Sequence, residues 1–373
     1  MRDQQTSSNY MNQLDGLRAI AVLAVFAQHW LPIESLMMRI STGYLGVRLF
    51  FVLSGFLITG ILIRCRSEME RGQALGFTVR NFYIRRALRI FPLYYGLVLS
   101  ALIFNYGNIR DIALYHLAFL SNIKFALMNK WGALTPFWSL AVEEQFYLFW
   151  PWVILLTPAI YLRKIIISLI LSSIVYRVVG VVLEWNRFII DYQLISCMDA
   201  LCLGALLAEL NYSDGWNFIK TRMFSVLFSG TGILLMYIIF SNDMFRTEHP
   251  FRLVLLSLAS SMVFFVVIMH AAKGISGKIG GLIQSKPMSY IGKISYGLYV
   301  LHVFTPLLSQ VLGISPPLNI FLKFTIYSTV TICMATFSWY LFERPINNFK
   351  RHFPYTNLKV VSQNTPIELN ARR

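Results

Sequence analysis

Two ionisable side chains in the first apolar run have the types and spacing for proton transfer. Arg18 and His29 are eleven residues apart, and eleven residues return an α-helix to nearly the same face while it rises roughly 16 Å. A neutral histidine titrates near pH 7, so it can take up and release a proton. We therefore predict that His29 is catalytic, with Arg18 on the same stripe and Asp15 one turn before Arg18.

Other charged side chains lie within apolar runs, where they are costly unless they are paired or face water. Arg177 and Asp199 suit either a functional role or a structural ion pair that holds helices together. Six ionisable groups are predicted to gather around one hydrated cavity in the outer half of the membrane, namely His29, Arg48, Glu143, Glu144, Arg177 and Asp199. His302 lies near the middle of a later run.

Three arginines stand together at the start of the third apolar run. Arg85, Arg86 and Arg89 fall within about one helical turn, so their guanidinium forks can converge on phosphate groups. A basic cluster of this kind also anchors the end of a membrane helix. The spacing alone leaves both interpretations open.

The composition is that of a membrane protein. Hydrophobic residues make up 56% of the chain and charged residues 13%, with a mean hydropathy of +0.58, whereas soluble domains carry about 25% charged residues. The net charge of +16 is spread over short loops between apolar runs, which argues against binding to nucleic acid and for an orientation signal. The four cysteines lack paired metal-ligand spacing and are interpreted as packing residues, with no metal site expected: Cys65, Cys197, Cys202 and Cys333.

Ten apolar runs approach the roughly 20 residues needed to cross a bilayer. With the amino terminus in the cytoplasm, 22 of the 33 lysines and arginines lie on the inner side and six in outer loops, which favours cytoplasmic termini. The sequence thus predicts an all-α membrane protein with about ten transmembrane helices and both termini cytoplasmic. Its parts are an N-terminal segment (1–14), a membrane-embedded domain (15–345) and a polar cytoplasmic tail (346–373). The runs are Asp15–Leu31, Leu45–Ile63, Ala87–Phe104, Phe137–Leu156, Ile165–Leu183, Tyr192–Leu210, Met223–Phe240, Phe251–Met269, Ile294–Leu312 and Ile320–Phe342.

Motifs along the chain resemble, in order, those of acyltransferase family 3, integral-membrane acyltransferases that act mainly on bacterial cell-surface sugars. They cover residues 14 to about 345. The family's second-helix motif often has an acidic residue where this chain has Arg48. The family also often has an arginine two residues before the acid of the sixth span, Asp199, and this chain has Cys197 there. The matching segments are Leu14–Ala21 followed by His29, Gly43–Ile58, Phe82–Pro92, Trp138–Tyr147, Ser295–His302 and Phe342–Pro345.

The resemblance implies a catalytic histidine, His29, and an acyl-CoA co-substrate supplied from the cytoplasm, with no tightly bound cofactor. It implies that Arg85, Arg86 and Arg89 serve the donor. Arg18 is then expected to steady the thioester oxygen, and Glu143 or Glu144 to orient His29 or to bind sugar hydroxyls. Further candidates within the matching segments and at their edges are Asp15, Ser54, Tyr296 and His302.

The expected reaction moves an acyl group, in the first instance acetyl, from acyl-CoA to a saccharide hydroxyl in the bacterial inner membrane. The acceptor is a surface polysaccharide, a lipid-linked sugar or a lipo-oligosaccharide, and polysaccharide-assembly machinery is an expected partner. Direct transfer and a covalent acyl-histidine both fit the residues. The alternatives are a proton-coupled transporter or flippase of saccharide, against which the runs show no inverted repeat, and a scaffold subunit of an assembly complex.

Overall fold

The computed structural model describes residues 2–32, 35, 39–213, 218–241, 250–311, 313 and 319–356, and all regular secondary structure in these ranges is helical. Three 3₁₀ segments, Tyr106–Ile112, His302–Phe304 and Phe349–His352, and a π-helical turn, Trp339–Glu343, lie among the α-helices. The α-helices are α1 Arg2–Trp30, α2 Thr42–Glu70, α3 Leu75–Ile103, α4 Ala113–Leu117, α5 Ser121–Met128, α6 Phe137–Leu156, α7 Ala159–Val182, α8 Arg187–Tyr192, α9 Leu194–Tyr212, α10 Phe218–Ser241, α11 Pro250–Lys273, α12 Gly277–Ile283, α13 Lys286–Lys293, α14 Ser295–Leu301, α15 Thr305–Val311, α16 Ile320–Ser338 and α17 Arg344–Asn348.

Seven helices of the described chain are long and apolar enough to cross a membrane, and up to eight if one bent pair counts as a span. The bent pair joins α13 to α14–α15 at an angle of 59°. The protein is therefore an all-helical, multi-pass membrane protein. The predicted count of ten spans and the cytoplasmic placement of both termini stay predictions.

Two of the ten predicted runs form helices that do not reach the hydropathy of a span. These are α1 and α6. Asp15, Arg18 and His29 lower the apolar character of α1, and Glu143 and Glu144 do the same for α6. Both helices nevertheless pack into the hydrophobic core of the bundle, so the residues that make them atypical are placed inside the molecule.

The third helix differs from its predicted bounds. It begins at Leu75, twelve residues before the predicted start at Ala87, so Arg85, Arg86 and Arg89 lie well within a helix. A turn with Gly72 at φ 103° separates α2 from α3, a conformation that glycine adopts without steric cost.

The described part of the predicted tail packs against α3. Asn81 Nδ2 donates to the carbonyl oxygen of Pro354 at 2.7 Å, and Gln73 Nε2 donates to that of Tyr355 at 3.0 Å. These bonds hold the chain up to residue 356 beside the α2–α3 turn. Residues 357–373 of the predicted tail lie outside the described residues.

Helices α2 and α9 approach each other so closely that their backbones touch. A Cβ added at Gly55 would overlap the carbonyl group of Leu201, and one at Gly204 would overlap that of Val52. Small residues allow this kind of approach between helices in a membrane, where van der Waals packing replaces the hydrophobic effect. The two glycines therefore set the distance between α2 and α9.

Gly55→Ala is expected to lower the free energy of unfolding by about 1–3 kcal/mol, because the added methyl group forces the two backbones apart. Thermal unfolding of the purified protein in detergent measures the loss. Gly96→Ala on α3 is the matched control, since a Cβ there meets no atom within 4 Å. Equal stability of both variants would contradict the close approach.

Candidate functional site

An outer cavity of about 440 Å³ contains the first predicted catalytic residue. The imidazole of His29 is exposed to this space at the end of α1. The opposite walls come from the loop before α6, from α8 and from the start of α2. Beside His29 the lining includes Gln28, Tyr44, Trp131, Trp138, Arg187, Phe188 and Tyr192.

A second histidine lies against His29. The ring centroids of His29 and His302 are 4.9 Å apart with nearly perpendicular planes. His302 is almost wholly buried, and its Nδ1 lies 2.5 Å from the carbonyl oxygen of Tyr299. Because a carbonyl oxygen only accepts, this contact assigns the hydrogen to Nδ1 and a lone pair to Nε2. Nε2 has no hydrogen-bond partner among the described residues.

An inner cavity of about 290 Å³ lies farther towards the amino-terminal end of α1. Arg18 lines this cavity while His29 lines the outer one, so the eleven-residue spacing places both on the inward stripe of one helix. Asp15 accepts a hydrogen bond from Arg18 at 2.5 Å and holds that guanidinium. Arg86 and Arg89 add two further guanidinium groups to the wall.

Glu143 lies on the inner cavity rather than beside His29. Its Oε1 accepts from Ser54 Oγ at 2.9 Å, and its Oε2 accepts from Tyr147 at 3.1 Å. Glu144 lines neither of the two cavities, and its Oε1 has no hydrogen-bond partner in the described chain. Neither carboxylate contacts His29 in the described structure, where the titratable side chain placed against it is His302, so an orienting role for Glu143 or Glu144 stays a prediction.

Two residues line both cavities and form the boundary between them, Val47 and Tyr299. The hydroxyl of Tyr299 donates to the carbonyl oxygen of Pro136 at 2.9 Å and lies 2.7 Å from Ser139 Oγ. The backbone carbonyl of the same tyrosine fixes His302. Tyr299 thus joins the boundary to the histidine pair, a connection that no sequence spacing indicated.

The three arginines of the basic motif separate. Arg86 and Arg89 line the inner cavity, but Arg85 donates to the carbonyl oxygens of Lys350 at 2.7 Å and Phe353 at 3.0 Å. Arg85 therefore holds the segment after α17 and is not placed to bind the same phosphate as the other two. Tyr296 lines the inner cavity and donates to the carbonyl oxygen of Ile90 at 2.7 Å.

Arg48, Arg177 and Asp199 form a buried ion network outside both cavities. The Asp199 carboxylate is bound by Arg48 at 2.6 Å and Arg177 at 2.7 Å, and Ser257 donates to it at 2.9 Å. Arg48 also donates to Ser261 Oγ at 2.7 Å. The predicted single cavity with all six ionisable groups is thus wrong, since these three side chains join α2, α7, α9 and α11.

The aromatic wall of the outer cavity was not predicted. Trp131 packs edge-on against Phe188 with centroids 4.7 Å apart, and Trp138 packs in the same way against Tyr192 at 4.7 Å. These rings come from a loop, from α6 and from α8, so no helical periodicity connects them. Isolated aromatic residues near the ends of apolar runs are the only signal that the sequence carried.

The cysteines are free thiols, with Cys65, Cys197 and Cys202 buried and Cys333 exposed. In the described part of the chain, no group of three or more His, Cys, Asp or Glu side chains is placed to hold a metal ion. The chemistry that the site can perform is therefore argued from its histidines, arginines and carboxylates.

Residues 11–343 match the family model of the acyltransferase domain. The chain belongs to acyltransferase family 3. The match covers both cavities and the boundary between them. No solved structure matches this chain.

Curated relatives share the family over most of this chain. Peptidoglycan O-acetyltransferase OatA of Listeria monocytogenes is 32% identical over 94% of this chain and 58% of the relative. The putative peptidoglycan O-acetyltransferase YrhL of Bacillus subtilis is 27% identical over 90% of this chain and 55% of its own. A putative acetyltransferase of Acidianus two-tailed virus, ORF330, is 30% identical over 82% of this chain and 86% of its own. This chain therefore spans less than 60% of the two relatives named for peptidoglycan.

Asp199→Asn is expected to lower the free energy of unfolding by about 3–5 kcal/mol, because it leaves two guanidinium groups buried without their carboxylate. The matched control is Glu209→Gln, which removes the carboxylate of an accessible pair with Arg163, whose side chain is 48% exposed, and which should cost no more than about 1 kcal/mol. Thermal unfolding in detergent compares them. Similar losses in both variants would contradict a structural role for the network.

Proposed function

We propose that this protein is a membrane O-acetyltransferase that moves an acetyl group from acetyl-CoA to a hydroxyl of a cell-envelope saccharide. One observation carries the proposal: a basic inner cavity and a histidine-containing outer cavity share the walls formed by Val47 and Tyr299. A thioester entering from one side and an alcohol entering from the other would meet at this boundary. The membership in acyltransferase family 3 supports the reaction type.

The inner cavity suits the donor. Arg18, Arg86 and Arg89 provide positive charge for phosphate and for the thioester oxygen. The same wall also has apolar side chains, among them Phe50 and Leu57, beside the hydrogen-bonded pair Ser54 and Glu143. The extended pantetheine arm carries both methylene and amide groups, which this mixed lining can accommodate, and the boundary is where the acyl group would stop.

His29 suits the role of general base. As the acceptor oxygen attacks the thioester carbonyl, the hydroxyl proton passes to the imidazole, and the new C–O bond forms. The C–S bond then breaks, and the leaving thiolate takes the proton from the imidazolium. A positioned base of this kind typically contributes roughly 10²–10⁴-fold. Nε2 of His302 has no hydrogen-bond partner among the described residues, and its ring lies beside His29. A hydrogen bond to it from one nitrogen of His29 would leave the other nitrogen of His29 to take the proton.

The outer cavity suits a saccharide. Trp131, Trp138 and Tyr192 present aromatic rings, against which the apolar faces of sugar rings pack, and Gln28 offers an amide for hydroxyl groups. Arg187 lines the same cavity and forms an ion pair with Asp191 at 3.7 Å. Since two relatives carry names for peptidoglycan O-acetylation, we propose peptidoglycan or a related envelope glycan as the acceptor.

The proposed topology follows from charge. The excess of lysine and arginine in alternate loops supports an arrangement in which the amino-terminal end of α1, and with it the inner cavity, faces the cytoplasmic side of the bacterial inner membrane. Acyl-CoA is confined to that side by its phosphates. The outer cavity then opens towards the side on which envelope glycans are assembled.

His29→Ala is expected to reduce acetyl transfer by at least 10²-fold, because it removes the base, while the protein still inserts and unfolds at the normal temperature. The rate of acetyl transfer is measured from the release of CoA thiol and from the formation of acetylated saccharide. His270→Ala is the matched control, because His270 lies at the exposed end of α11, away from both cavities. Wild-type turnover by the His29 variant would contradict the mechanism, and a saccharide transporter would release no thiol at all.

Arg89→Ala is expected to raise the KM for acetyl-CoA by about ten- to a hundredfold, because a charge-assisted hydrogen bond contributes about 1.5–3 kcal/mol. The KM for the acceptor should stay unchanged. Arg110→Ala provides the control, since Arg110 is exposed and its guanidinium donates to backbone carbonyls near the end of α3. An unchanged KM for acetyl-CoA in the Arg89 variant would contradict a role for Arg89 in donor binding.

A further inference from the structure

A third cavity, of about 410 Å³, lies at the carboxyl-terminal end of α2. We call it the terminal cleft. Arg64 lines it from α2 and Arg71 from the residue directly after α2, and Tyr355 lines it from the segment that docks on α3. Tyr212 contributes from the end of α9. In the sequence alone these two arginines are part of the basic excess that signals orientation.

The terminal cleft continues the inner cavity along one face of a single helix. Ile61 lines both. The lining side chains of α2 and of the residue after it follow one another at steps of three or four residues, which is the spacing of one helical stripe. They include Ser54, Leu57, Ile61, Arg64, Glu68 and Arg71.

The charge of the terminal cleft favours an anion. Arg64 is exposed to it, and no carboxylate of the described chain lies within ion-pair distance of Arg64. Glu68 is committed to Arg71, with their charged atoms 3.1 Å apart at the rim. An arginine with a free guanidinium fork beside an open space is suited to a phosphate group.

An aromatic ring borders the same space and connects it to the basic motif. The guanidinium of Arg85 lies 4.4 Å from the centroid of the Tyr355 ring, and Arg86 donates to the Tyr355 hydroxyl at 3.5 Å. Arg86 also lines the inner cavity. A ligand that reached from the inner cavity into the terminal cleft would therefore pass Arg86 and end beside an arginine and an aromatic ring.

The length of the stripe matches an extended coenzyme. Arg64 lies seventeen residues beyond Val47 on α2, which corresponds to roughly 26 Å along the helix axis. A pantetheine arm spans roughly 15–20 Å by bond lengths, and a diphosphate and a ribose add several ångströms. With the thioester at the Val47–Tyr299 boundary, the nucleotide end falls at Arg64.

We propose that the terminal cleft binds the phosphorylated nucleoside end of the acyl donor, with Arg64 on its terminal phosphate and Tyr355 beside its base. This inference rests on the proposed function, in which the donor is acyl-CoA. It assigns the diphosphate to the passage at Arg86 and the acyl group to the boundary below His29.

The test compares three donors: acetyl-CoA, acetyl-dephospho-CoA, which lacks the terminal phosphate, and acetyl-pantetheine, which lacks the nucleotide. Arg64→Ala is expected to raise the KM for acetyl-CoA about tenfold, towards the wild-type value for acetyl-dephospho-CoA, and to leave the KM for acetyl-pantetheine unchanged. Arg64→Lys, which keeps the charge, should restore most of the difference in KM between acetyl-CoA and acetyl-dephospho-CoA. Arg163→Ala, at an arginine bound to Glu209, should change none of the three.

Two results would overturn the inference alone: an unchanged KM for acetyl-CoA in the Arg64→Ala variant, or an equal rise for acetyl-CoA and acetyl-pantetheine. Wild-type protein that transfers acetyl from none of the three donors would instead overturn the proposed function, and the inference with it. A KM that does not respond as expected therefore counts against the terminal cleft, whereas a lack of transfer from every donor counts against the proposed function.

Discussion

Close packing of α2 against its neighbours is the constraint on which the rest of the structure depends. Gly55 and Gly204 let the backbones of α2 and α9 touch, and the Arg48–Asp199 ion pair joins the same two helices. With one side of α2 fixed in this way, its other side runs past all three cavities. Val47 stands at the boundary between the outer and inner cavities, and Ile61 at the boundary between the inner cavity and the terminal cleft.

Two sets of charged side chains inside the bundle differ in their surroundings. Asp199 with its two arginines is sealed from water and balanced by direct ion pairs, which suits a role in holding helices together. Arg18, Arg89 and His29 face open cavities, where water or a ligand can meet their hydrogen-bonding needs. Burial thus separates the Asp199 network from the charged groups that line the cavities, although all of them interrupt apolar runs in the same way.

Much of this arrangement was predictable from local pattern. The apolar runs predicted the helices, and the eleven-residue spacing placed Arg18 and His29 on one stripe, because both depend only on the period of the α-helix. The predictions that the structure did not bear out concern contacts between segments that are distant in the sequence. His302 reaches His29 from a 3₁₀ turn 273 residues later, and Arg85 is captured by a segment that folds back onto α3. No spacing within one helix carries that information, which also explains why Glu143 was expected beside His29.

Transfer across the boundary between the two cavities is the central claim, and sidedness in proteoliposomes tests it most directly. Acetyl-CoA is enclosed in the lumen, and a membrane-impermeant peptidoglycan fragment is supplied outside. We expect acetylated saccharide to accumulate outside while free CoA thiol accumulates in the lumen, in equal amounts. Acetylation that occurs only when donor and acceptor are present on the same side of the membrane would contradict the account.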